Sequence, residues 1–119
     1  MNTKAIGAQG EEQAARYLQA KGWSILERNF SAPYGELDLV AKDGKTLVFV
    51  EVKTRAYSAY GGPLMAVTPA KQKRLALTAA SYIKAKSVKC DGIRFDVLCV
   101  LPQGIEHVPN AFFPERTTL

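Results

Sequence analysis

Residues 35–54 read Gly35-Glu36-Leu37-Asp38-Leu39-Val40-Ala41-Lys42-Asp43-Gly44-Lys45-Thr46-Leu47-Val48-Phe49-Val50-Glu51-Val52-Lys53-Thr54. The runs 35–42 and 46–54 are rich in strand-forming residues, and Lys42-Asp43-Gly44-Lys45 joins them. An Asp-Gly pair between two such runs signals a two-residue hairpin. With Asp43-Gly44 as the turn, Lys42 faces Lys45, which sets Asp38 opposite Phe49 and Glu36 opposite Glu51. Alternation along each strand then gathers Glu36, Asp38, Glu51 and Lys53 on one face, with Val48, Val50 and Val52 on the other. Asp38 and Glu51 become diagonal neighbours, roughly 7 Å apart by strand geometry.

On either side of the hairpin the pattern changes period. Residues 4–21 read as a helix stopped by Gly22, and Trp23 to Asn29 as a short strand followed by the loop Ser31-Ala32-Pro33-Tyr34. After the hairpin comes a loop over 55–67 containing Tyr57, Tyr60, Gly61-Gly62 and Pro63. Thr68-Pro69 supplies an N-cap and a proline at the first turn of a helix that runs to about Lys86, with Leu75, Ala79, Tyr82 and Ile83 on its apolar stripe. Ile93 to Leu101 is a continuous apolar strand, and a further strand lies near Ile105 to Val108. The order α-β-β-β-α-β, with a long helical link before the fourth strand, predicts a parallel crossover. The fold class is therefore α/β, a mixed sheet flanked by helices.

The 119 residues fit one domain, 1–119, with 47% hydrophobic and 23% charged residues, close to the globular average. The polar opening Met1-Asn2-Thr3-Lys4 is unlike a signal peptide, and no apolar run reaches the ~20 residues of a membrane span. Cys90 and Cys99 lack metal-ligand spacing and read as two reduced thiols, so the expected location is cytoplasmic. Net charge is +5, unevenly spread. No acidic residue stands between Glu51 and Asp91, a span that carries Lys53, Arg55, Lys71, Lys73, Arg74, Lys84, Lys86 and Lys89. Such a distribution suits a metal site beside a surface for a polyanion; a solvated basic helix is the alternative.

Clustered carboxylates repel one another and resist desolvation unless a cation joins them. Mg²⁺ takes oxygen ligands, commonly one or two carboxylates with waters and a substrate phosphate, and Lys53 lies close enough to reach the same phosphate. Cross-strand salt bridges on a solvated face are the alternative. Removing either Asp38 or Glu51 should then relieve repulsion and stabilise the metal-free protein. In the first helix Gly7, Ala8, Ala14, Ala15 and Leu18 form an apolar stripe with Glu11 at its centre and Glu12 off it, so Glu11 is expected to point at the hairpin site.

Asp38 followed by Glu51-Val52-Lys53 resembles the PD-(D/E)XK nuclease motif, with Leu37 where the motif's name has proline. The chain from residue 7 to about 100 is similar to the bacterial YraN family of predicted endonucleases, whose core is like that of archaeal Holliday-junction resolvases. The resemblance rests on Gly10-Glu11, Gly35-Glu36-Leu37-Asp38, Val48 to Arg55, Lys71 with Arg74, and Arg94-Phe95-Asp96-Val97. It implies a restriction-endonuclease-like core and a metal-dependent endonuclease acting on DNA, including branched or structured DNA. It further implies that Asp38 and Glu51 bind Mg²⁺, with Mn²⁺ as a substitute, and that the Val52 carbonyl joins them. Lys53 would assist the nucleophilic water and Glu11 complete the site. A homodimer with two sites fits the likeness to junction resolvases.

Lys71 and Arg74, one turn apart on the exposed edge of the second helix, are expected with Lys73 and Arg55 to contact phosphate; Tyr57 and Tyr60 suit stacking on bases, with an ordinary tyrosine-containing turn as the alternative. Asp96 is expected to pair with Arg94 two residues back on the same strand face, and His107 to be a surface residue. A non-catalytic nucleic-acid-binding or assembly module is the rival reading.

Overall fold

In a computed structural model of the chain, which describes residues 3–55 and 67–112, the elements run α1 (Thr3–Ala20), β1 (Ser24–Ala32), β2 (Gly35–Asp43), β3 (Thr46–Thr54), α2 (Pro69–Lys86), β4 (Gly92–Leu101) and β5 (Gly104–Val108). They form one five-stranded mixed sheet in the spatial order β1-β2-β3-β4-β5. Strands β1, β2 and β3 are a meander of antiparallel neighbours, β3 and β4 are parallel, and β5 returns antiparallel to β4. The parallel crossover through α2 is as expected from the length of that link.

Local signals explain the element ends. Gly22 takes φ +90°, Trp23 N donates to Leu18 O at 3.1 Å, and Gly22 N donates to Gln19 O at 2.9 Å. This is the paired bonding of a Schellman cap, which satisfies carbonyls the ending helix would leave bare. At α2, Thr68 stays extended and its hydroxyl accepts from Lys71 N at 3.2 Å, with Pro69 in the first turn. Strand β1 reaches Ala32, which pairs with Gly35, so the loop read at 31–34 contracts to Pro33-Tyr34. Residues 57, 60 and 61–63 lie outside the described residues.

Each face of the sheet carries one helix. Leu47, Phe49, Phe95 and Val97 pack with Leu75, Ala76, Ala79 and Tyr82 of α2. Leu39, Ala41, Val48, Val50, Leu98 and Val100 pack with Ala14, Ala15 and Leu18 of α1. Of the residues expected to face the core, Ala14, Ala15, Leu18, Leu75, Ala79 and Tyr82 are buried and Ile83 is half-buried; Ala8 is exposed, Gly10 is the buried residue one turn before Ala14, and the burial of Gly7 lies outside what is described.

Gly10 lies against β3 so closely that a Cβ there would overlap the Thr54 hydroxyl. Alanine favours a helix over glycine by about 1 kcal/mol, yet overpacking commonly costs about 1–3 kcal/mol. Gly10→Ala should therefore destabilise the protein in urea unfolding. In a Thr54→Ala background the same change should become neutral or stabilising. Equal effects in both backgrounds would mean that α1 is not held at this distance by the Gly10–Thr54 contact.

Candidate active site at the β2–β3 hairpin and the start of α2

The hairpin pairs Asp43 with Thr46 and Leu39 with Val50, so its two-residue turn is Gly44-Lys45, one position later than the Asp-Gly reading. Gly44 has φ +61°, and glycine at the first central position is the preference of a type II′ turn. The change preserves which residues share a face but slides the strands. The ladder now points Asp38 toward Glu51, where the sequence reading had Phe49. The ladder itself ends at Leu39–Val50. Beyond it, the Val52 N–H donates to Asp38 Oδ2 at 2.8 Å, so a side-chain carboxylate takes the place of a backbone carbonyl.

Strict alternation fails at this point. Leu37 joins the α2-side cluster and Leu39 the α1-side cluster, although they are two residues apart. On β1, Asn29 lies level with Asp38, between the pairs Arg28–Leu39 and Phe30–Leu37, and has φ +53°. Asparagine is among the few side chains that tolerate this left-handed conformation. Its side chain lies close enough to Glu11 to favour the charged form of that carboxylate. The irregularity of β1 and β2 thus re-aims Asp38 and ties α1 to the same spot. Asn29 was invisible to pattern reading, because strand periodicity predicts no positive φ.

Glu51 is 8% exposed, and its Oε1 meets two ammonium groups. Lys53 Nζ lies at 3.1 Å and Lys71 Nζ, from the first turn of α2, at 3.0 Å. Glu11, Glu36 and Glu51 all act on Asp38 electrostatically. Burial, reinforced by the Glu51 charge, pushes the Asp38 carboxyl up to about 7, with the Val52 N–H opposing. Burial also raises Glu11, which Asn29 partly offsets. Lys53 is lowered by burial and by Lys71. For Lys71 burial is outweighed by its contacts with Lys53 and Glu51, so it is raised. Glu12 is turned outward, pairing with Arg16 at 3.1 Å and Arg28 at 2.5 Å.

The structure therefore brings together Glu11, Glu36, Asp38, Glu51, Lys53 and Lys71. Lys73 and Arg74 are exposed on α2, and Arg55 follows β3 with its backbone N–H on Val100 O at 3.0 Å. Tyr57 falls outside the described residues. Lys71 corrects the sequence reading, which placed it on the exposed edge of the helix. The stability expectation is corrected too, for one acid of the pair: Glu51 neutralises two part-buried ammoniums, so removing it uncovers their repulsion.

Among the described residues no three His, Cys, Asp or Glu side chains form a ready-made metal cage. Asp38 and Glu51 offer hard carboxylate oxygens on adjoining strands, and the Val52 carbonyl is a third oxygen in the same segment. The donor set suits Mg²⁺, which keeps several waters and uses few protein ligands.

A second polar cluster is built around β4, where Asp96 lies level with Val50 of β3. Asp96, its side chain fully buried, accepts from Arg94 Nε at 2.9 Å, Arg94 Nη2 at 3.0 Å, His107 Nε2 at 2.7 Å and Asn110 N at 3.1 Å. The expected Arg94 pairing is present. His107 is no surface residue, however: its side chain is 7% exposed and packs edge-on against Tyr17 and Trp23. Its distance in sequence from Asp96 hid the contact. An open cleft of about 710 Å³ borders this cluster, lined by Tyr17, Lys21, Trp23, Asp43, Arg94, His107 and Pro109. The charged groups there engage one another. Lys21 reaches His107 Nδ1 and the Tyr17 ring, and Arg94 stacks on Trp23 and approaches Asp43. That is how a structural cluster behaves.

The family model for the Uncharacterised protein family UPF0102 matches residues 10–100. The chain belongs to the UPF0102 family. UPF0102 is the YraN family that the sequence motifs resembled. A UPF0102 protein of Geobacter metallireducens is 47% identical over 118 residues, covering 94% of this chain and 95% of that protein. One from Rhodococcus opacus is 47% identical over 114 residues (91% and 96%), and one from Dictyoglomus turgidum 40% over 118 residues (94% and 100%). The UPF0102 match begins at Gly10, where α1 meets Thr54, and spans the whole carboxylate–lysine cluster.

Proposed function

We propose that this UPF0102 protein is a metal-dependent endonuclease that hydrolyses phosphodiester bonds in DNA, branched or structured DNA included. The observation that carries the reading is the meeting of Asp38, Glu51 and Lys53 on one hairpin, with Glu51 Oε1 3.1 Å from Lys53 Nζ. Asp38, Glu51 and the Val52 carbonyl would hold Mg²⁺ or, in its place, Mn²⁺. The bound cation supplies Lewis acidity, easing deprotonation of water and offsetting charge on the phosphate.

The chain's own residues do the rest. Lys53, its pKa lowered, orients the attacking water and can exchange a proton with it. Glu11 borders the same space and contributes acceptor capacity toward that water. Lys71, Lys73 and Arg74 hold the nucleic acid along the side of the site formed by α2, mostly through phosphate, and Arg55 and Tyr57 add further contacts. Among the described residues no helix is long and apolar enough to cross a membrane. A cytoplasmic protein working as a homodimer with two sites suits this role, because one small domain offers little surface to grip a duplex.

The test is a nuclease assay on duplex, single-stranded, flap and four-way-junction DNA with Mg²⁺, Mn²⁺ or Ca²⁺. Cleavage is expected with Mg²⁺ and Mn²⁺, whereas Ca²⁺ should support binding alone, its looser coordination being poorer at activating water. DNA binding without cleavage under every metal would favour the rival, a non-catalytic binding module.

A further inference from the structure

Lys71 occupies an unfavourable place for a helix. It is the third residue after the N-cap Thr68, where a capping box would carry Glu or Gln and where exposed backbone N–H groups disfavour a cation. The first turn of α2 has no acidic residue to compensate. What holds the ammonium there is Glu51 Oε1 at 3.0 Å, the same oxygen that Lys53 contacts at 3.1 Å. One carboxylate oxygen thus carries two like charges, one from within the strand and one from a neighbouring helix.

Resting on the proposed metal-dependent reading, we propose that Lys71 is an exchangeable counter-ion. It neutralises Glu51 in the metal-free protein and is displaced from that oxygen when Glu51 ligates a divalent cation. Both ammoniums cannot stay on Glu51 beside a doubly charged ion. Lys53 is fixed by its position in β3 and is the more enclosed, with 20% of its side chain exposed against 27% for Lys71. Lys71 lies at the open end of α2, next to the exposed Lys73 and Arg74. Released there, its ammonium turns to the substrate phosphate nearest the metal. Loading of the metal and gripping of the phosphate become one event.

The experiment is calorimetric titration of Mn²⁺ into DNA-free protein, with folding of each variant checked by circular dichroism in EDTA. Lys71→Met removes the competitor and should tighten Mn²⁺ binding at least fivefold. Lys71→Arg keeps the charge and should stay within twofold of wild type. Lys73→Met, which removes a nearby charge without contacting Glu51, should also stay within about twofold. In Ca²⁺, Lys71→Met should lose most of the metal-dependent gain in DNA affinity.

Unchanged or weaker Mn²⁺ binding in Lys71→Met overturns the exchange, as does equal tightening in Lys73→Met. If Asp38→Asn binds Mn²⁺ as wild type does, the metal-site reading itself has failed. If Asp38→Asn abolishes binding and Lys71→Met leaves it unchanged, only the exchange has failed.

Discussion

Asp38→Asn and Glu51→Gln should both lower cleavage by more than about 10²-fold, yet shift the stability of the metal-free protein in opposite directions. The rate loss follows from removing a metal ligand: a bound cation is worth several kcal/mol in the transition state, and each 1.36 kcal/mol is tenfold. The stability effects follow from burial and partners. The Asp38 carboxyl is raised to about 7, so the folded state binds a proton there that the unfolded chain has lost. Its contribution to stability is therefore full below the ordinary carboxylate range and falls away as pH rises toward 7 and above. Asparagine cannot ionise and can still accept from the Val52 N–H. Asp38→Asn should accordingly raise the melting temperature in EDTA at pH 8 by several degrees, and change it little below about pH 4.

Glu51→Gln instead leaves Lys53 and Lys71 facing each other across an uncharged amide. Breaking a buried pair costs about 3–5 kcal/mol, discounted here to ~1–3 kcal/mol because both lysines keep some solvent contact. Its melting temperature in EDTA should fall. Thermal melts of both variants at two pH values decide the matter. A shift of the same sign for both at pH 8 would show that the two carboxylates are electrostatically equivalent, contrary to their different surroundings.

The largest stability loss is expected at Asp96. Its buried carboxylate is lowered because hydrogen bonds from His107, Arg94 and the Asn110 N–H outweigh the penalty of burial. Asp96→Asn should cost about 3–5 kcal/mol at pH 7, the range for removing one member of a buried pair. That is a large share of the ~5–15 kcal/mol that keeps a domain folded. A depressed carboxylate stabilises the fold above its unfolded pKa, and this contribution is lost as pH falls through the folded value. The gap between wild type and variant should therefore narrow at pH 3. Urea unfolding at both pH values measures it, and a loss under about 1 kcal/mol at pH 7 would show that the Asp96 charge is not what anchors this end of the sheet.

The legible parts of this molecule were those written in short-range pattern. The Thr68-Pro69 cap, Gly22 and the hairpin follow from residues within a turn or two of each other, and the parallel crossover from the length of the link between β3 and β4. The gathering of Asp38, Glu51 and Lys53 on one hairpin was legible for the same reason, whereas the break in alternation between Leu37 and Leu39 that re-aims Asp38 was not. What pattern could not supply were contacts between distant segments and departures from regular geometry. The turn fell on Gly44-Lys45, since one glycine serves either hairpin choice and only the packed sheet selects between them. Lys71 on Glu51 and His107 on Asp96 depend on how α2 and β5 dock. The left-handed Asn29, which sets the local course of β1 beside Asp38, breaks the very periodicity that strand reading relies on.

The sheet's connectivity also orders its assembly. Strands β1, β2 and β3 are linked by two-residue turns, whereas Thr54 and Gly92, which begin and end the crossover, are separated by α2 and the segments on either side of it. Closing a long loop costs chain entropy before the contacts it enables give any return, so local hairpins are favoured early and the parallel pairing late. The meander already contains Asp38, Glu51 and Lys53, while Lys71 reaches them only with the crossover. A nascent chain thus gathers its acids before the helix that helps neutralise them has docked. Completion of the sheet's longest-range pairing and relief of charge repulsion in the site become a single step of folding.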